Sequence, residues 1–410
     1  MQDIALLTAA GVAGLFMAWN IGANDLANAL GTSVGSGMVS AKKAVLLGTF
    51  LMFFGAVFVG RRVTETIQKG IIDPSFFQAS PMLLTLGMLS ALLAASTWVA
   101  IATYYGLPVS TTHSIVGAVV GFGIISVGIQ NIKMMIVLSI ATSWITSPIF
   151  AAILSYIVLK SLDKSIFSAR KPIKRAEKIG PLWVGIVFAI IGFSAVYKGI
   201  KNLEMLTMES ALVLSVIIGG FAYIASSILF KTAERKVRFE SRQVELLFGY
   251  LAILTGGYVA FGIGANDIAN AIGPFAAILN IMMTGDVSMR VGIEWWMLAF
   301  GGVGMALGCL TWGYKVIATI SEKITEITPD NAFAAQFSAA TVVILASKLG
   351  MPISTTHAIV GAVVGVGLAR GIKALNIKVV RDIVTSWIAT IPTTMIFAIL
   401  IYSIIAIAVT

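Results

Sequence analysis

Gly22-Ala23-Asn24-Asp25-Leu26-Ala27-Asn28 interrupts a stretch otherwise suited to hydrocarbon: residues 4–19 are apolar except Thr8, and residues 29–39 are small or apolar. An ionised aspartate in the middle of a membrane span costs roughly 2.5–3.5 kcal/mol on insertion scales, so such residues usually serve a pathway or a site. The pattern then returns as Gly264-Ala265-Asn266-Asp267-Ile268-Ala269-Asn270, with Asp25 and Asp267 standing 242 residues apart. One intramembrane aspartate is suggestive. Two copies of one seven-residue pattern predict a duplicated membrane protein built around them.

Composition agrees. Of 410 residues 58% are hydrophobic and only 11% charged, against about 25% charged in soluble domains, and mean hydropathy is +0.96. Apolar runs recur along the chain at lengths that span a ~30 Å core, and no alternating ten-residue segments suggest a barrel. The predicted class is an all-α polytopic membrane protein of about 12 membrane helices, counting hairpin arms. Cys309 is the only cysteine, which excludes an intrachain disulfide and a cysteine metal site. The net charge of +10 comes from basic residues clustered in loops, a topology signal rather than a nucleic-acid surface. No phosphate-binding loop of the GxxxxGK[ST] type is present, so direct ATP coupling is not expected. An intramembrane enzyme would need a nucleophile–base pair or a metal site. The two aspartates imitate an aspartyl dyad, but each is embedded in amides, so no enzyme is expected.

Outward from the motif, the chain repeats itself. Pro108-Val109-Ser110-Thr111-Thr112-His113 returns as Pro352-Ile353-Ser354-Thr355-Thr356-His357, and Thr142-Ser143-Trp144 as Thr385-Ser386-Trp387, at offsets of 244 and 243 residues. The predicted organisation is a first repeat over 1–160, basic loops and a two-span linker over 161–243, and a second repeat over 244–410. Residues 1–39 are too long for one span at 1.5 Å per residue, so a helix break is expected at 20–28. Basic loops at 160–181 and 231–243 place those ends in the cytoplasm. Three full spans plus one segment that enters and leaves on one side then make the repeats inverted, with both termini outside. That segment is a re-entrant hairpin, 81–128 in the first repeat and 332–369 in the second, with the Ser-Thr-Thr-His turn at its tip. Irregular backbone at membrane depth must be buried in protein or line a wet cavity, so the two tips are expected to meet.

The motifs suggest complementary chemistry. Ser110, Thr111, Thr112, Ser354, Thr355 and Thr356 lie at helix starts, where free N–H groups and the positive dipole end favour an anion and hydroxyls add donors without charge. Two converging ends suit a compact, multiply charged oxyanion. Asn24, Asp25 and Asn28, with Asn266, Asp267 and Asn270, offer oxygens to hard cations such as Na⁺. Bound cations would neutralise the carboxylates and make the neighbouring anion site habitable. His113 and His357, the only histidines, occupy equivalent places. They either orient the tips through hydrogen bonds or carry protons, and the first reading is preferred.

These motifs together, GANDLANALGTSVGSG at 22–37, GANDIANAIGP at 264–274 and both STTH tips, resemble the inorganic phosphate transporter (PiT) family, as do residues 65–73 and 324–329. The resemblance implies a sodium/phosphate symporter of the cell membrane: cation-coupled phosphate uptake, an inverted repeat with two hairpins, and a homodimer. Carried onto this chain, the tip hydroxyls would bind phosphate and the Asn/Asp motifs Na⁺, with no other cofactor. Animal members carry acidic residues in the hairpin arms where this chain has Met88 and Ala335, so their stoichiometry does not transfer. A proton-coupled or metal–phosphate carrier, or a sulfate permease of the same fold, remains the alternative.

Overall fold

The computed structural model describes residues 2–67, 71–199, 208–236, 241–287, 291–348 and 353–409. Its helices are α1 (Gln2–Gly35), α2 (Ala41–Ile67), α3 (Pro81–Tyr104), α4 (Thr111–Val127), α5 (Met134–Leu162), α6 (Pro172–Gly199), α7 (Met208–Lys236), α8 (Ser241–Asp267), α9 (Ala269–Thr284), α10 (Trp295–Ala318), α11 (Pro329–Lys348), α12 (Thr355–Arg370) and α13 (Ile377–Val409). The described residues contain no strand. Among them, nine segments are long and apolar enough to cross a membrane, and α4 and α12 are shorter apolar helices. With α11 these make the twelve expected.

Local chemistry sets the boundaries. Pro81, Pro172 and Pro329 open α3, α6 and α11, where a missing N–H removes no helical bond. Ser110 and Ser354 cap α4 and α12 by accepting from the N–H of His113 and His357 at 3.2 and 3.3 Å. Gly106 turns the first tip with φ +68°, a conformation glycine adopts without strain. In the second tip, Pro352 lies outside the described residues.

Two expectations change. The break at 20–28 is absent, and α1 runs unbroken for 34 residues, about 51 Å at 1.5 Å per residue, a length that a helix accommodates by tilting. Asn24, Asp25 and Asn28 use side chains, not unwound backbone, to make their contacts, so the ladder has no reason to open. In the second copy the interruption is one turn residue, Ile268, between α8 and α9. The basic stretch 160–181 is also largely helical: α5 passes into a π-helical turn, Asp163–Phe167, and α6 starts at Pro172. Of the basic stretch 231–243, residues 237–240 lie outside the described residues.

Glycine contacts establish the inversion. Along α1 and α10, Ala18 meets Gly304, Gly22 meets Met305, Leu26 meets Gly313 and Gly31 meets Ile320, so the two run parallel. Along α2 and α8, Leu51 meets Gly257, Gly55 meets Phe261 and Gly60 meets Ala265, again parallel. Within the first repeat, Cys309 lies against both Gly22 and Met52 while Leu26 and Leu30 lie against Gly48, so α2 descends as α1 ascends. The counterpart of α1 is α8, which therefore opposes it. The repeats are inverted. The same exchange joins the later helices: Gly117 and Gly121 of α4 pack on Ile391 and Met395 of α13, while Gly361 and Gly365 of α12 pack on Pro148 and Ala152 of α5.

At the base of the second hairpin, Arg370 bonds Asp330 and Asn331 of α11 and reaches Asp163 at 3.3 Å. Its side chain is 38% exposed but that of Asp330 only 8%, so removal strands a nearly buried carboxylate. Arg370→Ala is expected to lower the melting temperature of the detergent-solubilised protein by a few degrees. Arg370→Lys should recover only part, because one ammonium does not reproduce the guanidinium fork. Equal melting temperatures for all three proteins would contradict this.

Candidate functional site

Each hairpin turns back inside the protein. Ser110, Thr111, His113, Ser354, Thr356 and His357 are all 3% exposed or less, and Thr112 and Thr355 are half-buried. The tips meet: the Thr356 hydroxyl donates to the Val109 carbonyl at 3.2 Å, and the rings of His113 and His357 lie edge to face at 4.8 Å.

Around them the two Asn/Asp motifs make crossed contacts. Asn28 of the first repeat donates to Thr356 of the second at 2.9 Å, and Asn270 of the second donates to Thr112 of the first at 2.9 Å. Thr112 and Thr356 are equivalents, as are Asn28 and Asn270, so one bond is made twice by pseudo-symmetry. Asp25 sits at the crossing. It accepts from Thr111 at 2.9 Å and from Asn28 at 3.0 Å, and the Thr356 hydroxyl stands 3.4 Å away. The carboxylate thus touches both tips. Asp267, 8% exposed, lies within electrostatic reach of Asp25.

The amides divide the work. Asn24 donates to Thr103 at 2.9 Å and to the Leu107 carbonyl at 3.1 Å, and accepts from the Val109 N–H at 3.1 Å, so its side chain clamps the first tip. Asn266 is half-buried. Asn28 and Asn270 each keep a buried carbonyl oxygen without a hydrogen-bond partner. Buried acceptors are rarely left so. Unpaired amide oxygens beside carboxylates suit a hard cation.

The histidines have neighbours that sequence reasoning did not assign. His357 stacks on Trp387 at 3.8 Å, and His113 lies 4.8 Å from Trp144. The His357 Nδ1 is 3.4 Å from the Trp144 carbonyl. That carbonyl is free because the residue four positions on is Pro148, inside α5, which has no N–H to return. Trp387 in turn donates to the Pro108 carbonyl at 2.9 Å. The signal was visible in the repeated Thr-Ser-Trp, but its meaning depends on which helix the tryptophans face.

Inverted repeats, two buried hairpin tips and a crossed polar cluster between them define a secondary carrier. Residues 21–398 match the Phosphate transporter family, and the chain belongs to it. It is 45% identical to a chain of Pyrococcus abyssi named as a phosphate permease, over 96% of each. It is 41% identical to inorganic phosphate transporter 2-1, chloroplastic, of Arabidopsis thaliana, over 92% of this chain and 68% of that one. A solved structure described as the sodium-dependent phosphate transporter superposes with a TM-score of 0.88 at 38% identity, covering 98% of this chain and 99% of that one. The protein is thus a multi-pass membrane transporter of the phosphate class.

Proposed function

We propose that this protein imports inorganic phosphate together with Na⁺ by alternating access around the crossed cluster. The observation that carries the reading is the pair of unpartnered amide oxygens on Asn28 and Asn270 beside Asp25 and Asp267, facing two helix starts rich in hydroxyls. Phosphate would be held by Ser110, Thr111 and Thr112 and by Ser354, Thr355 and Thr356, with first-turn N–H groups as further donors. Na⁺ would be held by Asp25 and Asn28 and by Asp267, Asn270 and Asn266, while Asn24 fixes the tip. Cation binding cancels the repulsion between carboxylate and phosphate, so neither solute is stable there alone. That mutual requirement is the coupling. The termini are placed outside the cell membrane, the loops at 160–181 and 231–243 in the cytoplasm, and two chains in a homodimer.

The direct test is radiolabelled phosphate uptake into proteoliposomes under separately imposed Na⁺ and H⁺ gradients, with sulfate as competitor. A Na⁺ gradient is expected to drive accumulation and a proton gradient alone to fail. Proton-driven phosphate uptake, or accumulation of sulfate in its place, would replace this reading with the alternative carrier of the same fold.

The histidines are assigned a positioning role, because each ring packs on a tryptophan. His357→Gln, which loses the stack on Trp387, is expected to slow Na⁺-driven uptake about tenfold, equivalent to roughly 1.4 kcal/mol, and to leave its pH profile unchanged. A shifted or flattened pH profile would assign the histidines to proton transfer instead.

A further inference from the structure

The two hairpins are related by pseudo-symmetry, yet the clefts behind them differ. Between the first hairpin and α9 lies a cavity of about 120 Å³, walled by Met88, Val116 and Val119 on the hairpin and by Asn270, Pro274 and Ala277 on α9. It reaches Asn270, whose side-chain oxygen is one of the two without a partner. The corresponding cleft lies between the second hairpin and α1. There Gln336 occupies the place of Met88: each is seven residues after the proline that opens its arm, Pro329 or Pro81. Its neighbours correspond too, since Asn28 and Thr32 match Asn270 and Pro274 at the 242-residue offset of the motifs. This cleft is bridged. Gln336 donates to the Asn28 carbonyl at 3.2 Å and accepts from the Thr32 hydroxyl at 3.1 Å. All three residues are at most 1% exposed.

We infer that Gln336 is a positioning residue that ties the second hairpin to the Asn/Asp motif of α1 and so decides which of the two clefts is shut. Methionine at the equivalent place makes no such bond, and proline at 274 has no hydroxyl with which to return one. The polar bridge therefore exists on one side only, and the empty volume lies on the other. In an inverted-repeat carrier the two clefts are the two routes to one site, and closing one with directional hydrogen bonds biases the protein toward the state in which the other is open. The bridge ends on the backbone of Asn28, whose side chain belongs to the proposed cation site, so site occupancy and cleft closure share a residue. This consequence rests on the transport reading; the bridge itself does not.

The test uses Ala277→Cys as a reporter in the cavity wall, in full-length protein in lipid nanodiscs where both faces are accessible. Cys309 is fully buried and serves as a silent background. Labelling by a small charged methanethiosulfonate is timed in this background, and again with Gln336→Met or Thr32→Val added. Each addition removes the bridge from a different partner, so failure of one variant to fold leaves the other. Both are expected to slow labelling at least threefold, because loss of the bridge lets the opposite cleft open and the cavity close. Labelling at the unmodified rate, or faster, in the variants that remain monodisperse overturns the inference. Labelling needs no phosphate, so absence of phosphate uptake would sink the transport reading and leave this comparison intact.

Discussion

Asp25→Asn is expected to reduce Na⁺-driven phosphate uptake by a factor of about 100 to 1,000 while the protein remains folded. Asp25 accepts from Thr111 and Asn28 and stands against Thr356, so it joins both hairpin tips to α1. An asparagine of the same shape turns one acceptor into a donor facing other donors, and it removes the charge that would attract the cation. A hydrogen bond to a charged group contributes about 1.5–3 kcal/mol, and each 1.4 kcal/mol is tenfold in an equilibrium. Two weakened contacts therefore account for the range. Asp267→Asn should produce a loss of the same order. Uptake within a factor of three of wild type in Asp25→Asn protein, with gel-filtration profiles matched, would remove Asp25 from the site.

The second large effect concerns folding. A Cβ added at Gly22 would fall on the Met305 carbonyl, and one at Gly264 on the Met52 carbonyl. Both obstacles are helix backbone, which cannot rotate away. Gly22→Val and Gly264→Val are each expected to destabilise by more than about 3 kcal/mol, the upper range for overpacking a close-packed interior, and to yield little monodisperse protein. Gly262 is the internal comparison, since a Cβ there meets nothing within 4 Å. Gly262→Ala should purify as wild type and melt at the same or a slightly higher temperature, because alanine favours helix by up to about 1 kcal/mol. Good yield from Gly22→Val would mean that α1 and α10 are not packed as described.

These glycines illustrate what sequence could and could not reveal. The two Asn/Asp patterns, their common offset and the Ser-Thr-Thr-His turns marked out the repeat, the hairpins and the polar residues that meet, because polar groups in apolar runs and proline-bounded turns are local signals. The glycine of each motif looked like part of a broken helix. It proved to be the point where helices of opposite repeats touch backbone to backbone. The same mistake explains the expected break in α1, which assumed that polar side chains need unwound backbone. Trp144, Trp387, Thr103 and Gln336 were invisible as partners of the site for a different reason. Their roles come from which helix lies opposite them, and that is set by packing between the repeats. The carbonyl freed by Pro148 is a middle case: the proline is plain in the sequence, but its acceptor matters only because His357 arrives from the other half.

The central claim is that phosphate and cations share the crossed cluster, and imaging the protein by electron cryomicroscopy with saturating phosphate and Na⁺ tests it most directly. The account predicts tetrahedral density between the tips, within hydrogen-bonding distance of Ser110–Thr112 and Ser354–Thr356, with cation density against Asp25 and Asp267. Phosphate density elsewhere, with the side chains of Asn28 and Asn270 still unliganded, would contradict it.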